Sequence, residues 1–193
     1  MGEKRKQSPA AHRLARGDEL YPSVLLARLG ENAPATLTAI GPVALLANRK
    51  TALFCSARTP GDAILRAHDM ARRLRDEGVT VISGFHSPIE RECLRILLRG
   101  KQPIIICPAR AIESMRIATE CRAAFDAGRV LFLSPFAMEL RRVTKDSAAR
   151  RNEFVAVLAD NAYVAHAAPG GQTAKTIDLL RAWSVPPAVG TDF

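Results

Sequence analysis

Three short stretches hold the residues best suited to gripping an anion. The first is "SGFHSPIE" (83–90), where Ser83 and Gly84 close an apolar run and a helix-like segment follows. A glycine there lets backbone N–H groups approach a ligand with no side chain in the way. Taken alone, a tight strand-to-helix turn with no ligand is the simpler account of that dipeptide. The second is "HAAPGGQT" (166–173), where Gly170 and Gly171 precede a hydroxyl, Thr173, at the start of a helical segment. Such a turn resembles a phosphate-binding loop, yet it is neither a Walker A sequence nor the G-x-G-x-x-G fingerprint of dinucleotide enzymes. The third is "ARRNEFVAVLAD" (149–160), which puts Arg150, Arg151 and Asn152 near the expected start of a helix. Cations there oppose the helix dipole, a modest cost that a bound phosphate would offset; a solvated basic turn fits the composition equally well.

Groups for acid–base chemistry are sparse. His86 and His166 fall in the first two stretches, but neither has an Asp or Glu beside it in sequence to orient it. Glu90 and Glu92 follow His86 at a helix start, where capping and the dipole account for them. The four cysteines include no C-x-x-C pair, and neither Cys nor His clusters at ligand spacing. No catalytic residue, metal or cofactor is therefore expected, and the cysteines read as buried free thiols of a reducing cytoplasm.

The elements that must position these stretches are legible as an alternation. Apolar runs of strand length occur at 51–55 (TALFC), 79–83 (VTVIS), 104–107 (IIIC), 130–134 (VLFLS) and 162–166 (AYVAH). The periodicity between them predicts helices over 61–77 and 88–99, the latter with Pro88 in its first turn. This pattern predicts an α/β fold: an open Rossmann-like, mostly parallel sheet with helices on both faces, preceded by a short helical segment. Residues 1–18 read as a disordered basic tail, 19–48 as the helical lead-in and 49–193 as the Rossmann-like domain. Open α/β sheets bind ligands at the carboxyl ends of their strands, so the five post-strand loops are expected to meet on one edge. They bring Arg58, Arg110, Arg141 and Arg142 there as phosphate partners, with Phe85 and Phe136 as the loop aromatics available for stacking.

Composition narrows the partners. The chain has 193 residues, enough for one well-packed domain. Its 28 Lys and Arg against 19 Asp and Glu give a net charge of +9. That balance favours an anionic partner such as nucleic acid, although charge alone fits a generally basic soluble protein as well. No apolar run approaches the roughly 20 residues that span a bilayer, and the N-terminus lacks a secretory hydrophobic segment. A cytoplasmic location without membrane contact is expected.

The ordered set of stretches resembles the DNA-processing protein A family (DprA, also called Smf). That family sits in the Rossmann-like group that also contains the LOG nucleotide phosphoribohydrolases. The likeness runs from "YPSVLLARLGENAPATLTAIG" through "LFCSARTPG" and "GVTVISGF" to "ARRNEFVAVLADNAYVAHAAPGGQTAKT". It implies a homodimer that binds single-stranded DNA in uptake and recombination and loads the RecA recombinase, without turnover chemistry. By the same resemblance Arg58 matches the arginine after the first strand, and Ser83 and Gly84 match the Ser-Gly turn. Arg151 and Asn152 match the Arg-Asn pair, and Gly170, Gly171 and Thr173 the last turn; Phe85, His86 and Arg110 complete the candidate DNA-contacting set. The chain departs from the family at Ser56, usually glycine, and at Ser87, Pro88 and Glu90, where Arg, Gly and Asp are usual. Ala174 and Lys175 stand where the LOG enzymes would carry a catalytic acid. A nucleotide sensor or LOG-like hydrolase using the same pocket is the alternative, and a scaffold without ligand the plainest one.

Overall fold

The computed structural model describes residues 10–191, so the tail expected over 1–9 lies outside the described residues. Seven strands form one sheet: β1 (His12–Ala15), β2 (Thr36–Ile40), β3 (Lys50–Phe54), β4 (Thr80–Ser83), β5 (Ile104–Ile106), β6 (Val130–Ser134) and β7 (Asn161–Val164). Their order across the sheet is β1-β2-β6-β5-β4-β3-β7. Strands β3 to β7 pair in parallel, while β2 joins β6 and β1 joins β2 antiparallel. The five apolar runs are the five parallel strands, with ends shifted by a residue or two. Helices lie on both faces, so the fold is the open Rossmann-like one.

Two strands fall where none was expected. β1 lies in the stretch read as tail, and β2 in the stretch read as a helical lead-in. β1 is an edge strand in which only Leu14 is buried, so His12, Arg13 and Ala15 carry no apolar signature. In β2 two threonines dilute the pattern, and Pro34 just upstream reads as a loop. The lead-in does contain a helix, α1 (Ser23–Leu29).

The remaining helices are α2 (Gly61–Asp76), α3 (Pro88–Leu98), α4 (Thr119–Asp126), α5 (Lys145–Leu158) and α6 (Gln172–Ala182). Strand side chains alternate between faces. On one face Leu53, Val81, Ile104 and Val130 pack with residues of α2, α3 and α4. On the other, Ala52, Ile82, Ile105 and Leu131 pack with residues of α1, α5 and α6. Each fully buried Leu or Ile contributes about 1.5–3 kcal/mol. Burial on both faces is why these strands read as continuous apolar runs.

Helix α5 begins earlier than its apolar periodicity indicates. Thr144 is its N-cap, in a reciprocal capping pair with Ser147. Arg150, Arg151 and Asn152 are therefore inside the helix rather than at its start, and the dipole penalty inferred for them does not apply. The signal "TKDS" was hidden because serine stands where a capping box usually has Glu or Gln. At the other end of α5, Arg28 of α1 donates to the carbonyls of Val157 (2.6 Å) and Ala159 (3.0 Å), groups that helix geometry leaves unpaired.

All four cysteines are buried and free. Burial pushes the Cys93 and Cys107 thiols up to about 12. Because each folded value is raised, the unfolded chain loses its proton first, and stability present below the unfolded value drains away as pH rises. Above about pH 9 each thiol should cost about 1.4 kcal/mol per pH unit. Urea unfolding should show this alkaline loss, and a Cys93→Ala/Cys107→Ala variant should flatten it; an unchanged slope in that variant contradicts the assignment.

Candidate functional site

From β3 the chain steps through β4 and β5 to β6, then crosses back to lay β7 on the opposite side of β3. The loops after β3 and β7 thus leave in opposite directions, and a cleft opens between them at the carboxyl edge. A crevice of about 390 Å³ occupies this place. Ser56 ties its two sides together. Its hydroxyl accepts from the N–H of Ala168 (3.1 Å) and donates to Thr173 Oγ1 (3.1 Å), while its own N–H donates to the carbonyl of His166 (3.1 Å). Gly171 is the N-cap of α6; no side chain caps it, and the first turn carries no acidic residue. The positive end of an 11-residue helix therefore borders the crevice uncompensated.

The crevice floor is built from two buried, opposite charges. Glu90 is 7% exposed, and its carboxylate accepts three backbone N–H groups: Cys55 (3.0 Å), His86 (2.8 Å) and Ser87 (3.1 Å). It completes a capping box with Ser87 at the start of α3 and simultaneously straps the end of β3 to the loop after β4. Arg151 is 4% exposed. Its Nε donates to Asn152 Oδ1 (2.7 Å) and its Nη1 to the carbonyl of Cys107 at a long 3.5 Å. Burial lowers its pKa, opposed by the charge of Glu90. Gly84 is what makes room for it: a Cβ there would overlap the Arg151 guanidinium.

Of the expected residues, Arg58, His86, Arg151, Asn152, Gly171 and Thr173 line this one crevice. Arg58 and His86 are exposed at its mouth. Gly170, at φ +67, shapes the turn from outside the lining. Four others lie outside its lining. At Gly84 the space that a Cβ would fill is taken by the Arg151 guanidinium. Ser83 is fully buried, and its hydroxyl accepts from the N–H of Phe85 (3.2 Å), so it faces inward. Phe85 takes a left-handed φ of +46, which turns its ring into the core under α2 and α3 and away from any base. Arg110 lies outside the crevice, in a separate cavity with Arg116 and Arg141. Phe136 is also buried, with the Arg150 guanidinium 5.4 Å above its ring. The Ser56 bridge and the Glu90 strap are the pieces that sequence reasoning missed. Each depends on a contact over 35 residues or more, and no local spacing signals it.

Fold and site together define a Rossmann-like domain with a crevice at its strand switch point, bordered by a buried arginine and a helix N-terminus. More specifically, the chain belongs to the DNA recombination-mediator protein A family, whose model matches residues 12–182. Two solved structures share the fold. DNA processing protein A from Helicobacter pylori, a protein described by its single-stranded DNA binding mode, is 17% identical with a TM-score of 0.71. That match covers 95% of this chain and 84% of the other. DNA processing protein A from Streptococcus pneumoniae is 18% identical with a TM-score of 0.74, over 93% of this chain and 64% of the other. The chain thus spans less than two thirds of the streptococcal protein. No curated protein sequence matches it.

Gly84→Ala should force Arg151 out of its seat. Chemical denaturation should then show a loss of about 0.5–3 kcal/mol, the ordinary range for a substitution that displaces a packed side chain. Wild-type stability in this variant would contradict the packing described.

Proposed function

We propose that this chain binds single-stranded DNA through the crevice between the β3, β4 and β7 loops, and acts in DNA processing or recombination. One observation carries the reading: a buried guanidinium, Arg151, incompletely paired and held against a crevice that α6 faces with its positive end. Holding an under-partnered cation in low dielectric is costly, and a phosphate oxygen arriving there would supply the missing acceptor. Arg58 at the mouth offers a second, solvent-exposed fork. Family membership and the net charge of +9 support the same partner. Passing the bound strand to a RecA-type recombinase, as a homodimer, is the finer form of this reading and rests on the family resemblance. Since Phe85 and Phe136 are both buried, contacts to the backbone should outweigh stacking on loop aromatics.

A mononucleotide is the second reading, favoured by the nucleotide-sized crevice and the uncapped α6. Hydrolysis of it has little support. Glu90 is committed to three backbone N–H groups, and Glu92 lies 2.8 Å from His68 in a pair between α2 and α3.

Fluorescence anisotropy with labelled oligo(dT) tests the proposal. Binding should weaken steeply with salt, and Arg58→Ala should cut affinity about tenfold while lowering the log–log salt slope by about 0.7, one single-strand phosphate contact. No complex at low salt would overturn it. A large thermal shift with AMP in the absence of any DNA complex would favour the second reading.

A further inference from the structure

The carboxyl edge of the sheet holds two separate basic sites. Beyond Arg151, the loops after β5 and β6 enclose a cavity of about 470 Å³ bounded by Arg110, Arg116, Arg141, Met115, Met138 and Glu113. The two loops are fixed to each other: Ser134 Oγ donates to the carbonyl of Arg110 (2.8 Å), and the N–H of Ala111 to the carbonyl of Leu140 (2.8 Å). The three arginines are exposed, and none forms an ion pair among the described residues. Glu113 does not neutralise them directly. One of its oxygens accepts from Thr38 Oγ1 (3.1 Å), and the other is buried without a hydrogen-bond partner. Arginines of α2, by contrast, are paired with acids close by in sequence.

We infer that this cavity is a second phosphodiester subsite, which holds the DNA strand as it leaves the Arg151 crevice. The inference rests on the crevice itself being a single-strand site. The two are neighbours: Arg151 reaches the carbonyl of Cys107, and Arg110 is three residues further along the same loop, at most about 11 Å of extended chain. Arg150, on the next position of α5, lines a third hollow that shares Glu113 and Met138 with the Arg110 cavity. Basic side chains thus continue from Arg58 and Arg151 through Arg150 to Arg110, Arg141 and Arg116. Met115 and Met138 give the cavity adaptable apolar walls on which a base can rest without sequence preference. Met138 is 51% exposed, so its thioether side chain is accessible to a base at the cavity wall.

Anisotropy titrations with labelled dTpT, too short to occupy both sites at once, and with oligo(dT) of about 16 nucleotides test this. The full chain is compared with an Arg110→Gln/Arg116→Gln/Arg141→Gln variant. All three positions are exposed, and matching thermal melts confirm that the variant folds. The variant should hold the short oligomer as the unaltered chain does. On the long one it should lose about ten- to a hundredfold in affinity and about 2 from the salt slope, three single-strand contacts. Wild-type affinity for the long oligomer would overturn the inference, and so would equal losses on both lengths. Failure of the unaltered chain to bind either oligomer would instead remove the crevice reading on which the inference depends.

Discussion

A guanidinium laid on a glycine is the constraint around which this edge of the molecule is arranged. Arg151 comes from inside α5 and occupies the space that a side chain at the end of β4 would fill. Only a residue without Cβ leaves that space. Burying the cation there demands a compensating charge nearby, and Glu90 supplies it from beneath the neighbouring loop. Glu90 is in turn held by the N–H groups of Cys55, His86 and Ser87, so its own burial is met by hydrogen bonds rather than by direct contact with the arginine. The result is a fixed, desolvated positive group with donor capacity left over, placed where the sheet topology opens a cleft.

Topology and chemistry reinforce each other here. The cleft exists because β7 returns to the far side of β3, and it stays at a fixed width because Ser56 bridges the β3 and β7 turns through Ala168 and Thr173. A glycine in the place of Ser56 would leave both turns without this link. The serine therefore compensates, by a side-chain bridge, at a position where the family resemblance leads one to expect a bare backbone. On the opposite flank, the antiparallel β1 and β2 cover the β6 edge of the sheet and carry Thr38, which holds Glu113 at the wall of the second basic cavity.

The parallel core was legible in the sequence because strands buried on both faces need unbroken apolar runs, as in Ile104–Ile106. The edge strands were not, since a strand with one buried residue, as in β1, looks like any polar segment. At the site, the identities of Arg151, Asn152, Gly171 and Thr173 could be proposed from residue type and order. Their roles could not be read so directly. Gly84 looked like an opening for a ligand and is a seat for an arginine; Phe85 looked like a stacking surface and is core, because one left-handed residue reverses the direction of its ring. Post-strand loops all share one edge, which suggests a common site for Arg110 and the crevice, yet the sheet is wide enough for that edge to carry two cavities. Sequence order gives the edge; it does not give the spacing along it.

The deciding contact is the one between DNA phosphate and the buried guanidinium. Arginine side-chain NMR of the full protein, titrated with oligo(dT), observes that group directly. The Arg151 Nε–H resonance should move and gain exchange protection together with the backbone amides of Gly171 and Thr173. Saturating DNA that leaves these signals unmoved, with perturbations confined to the α2 surface or the N-terminal end of the strands, would contradict it.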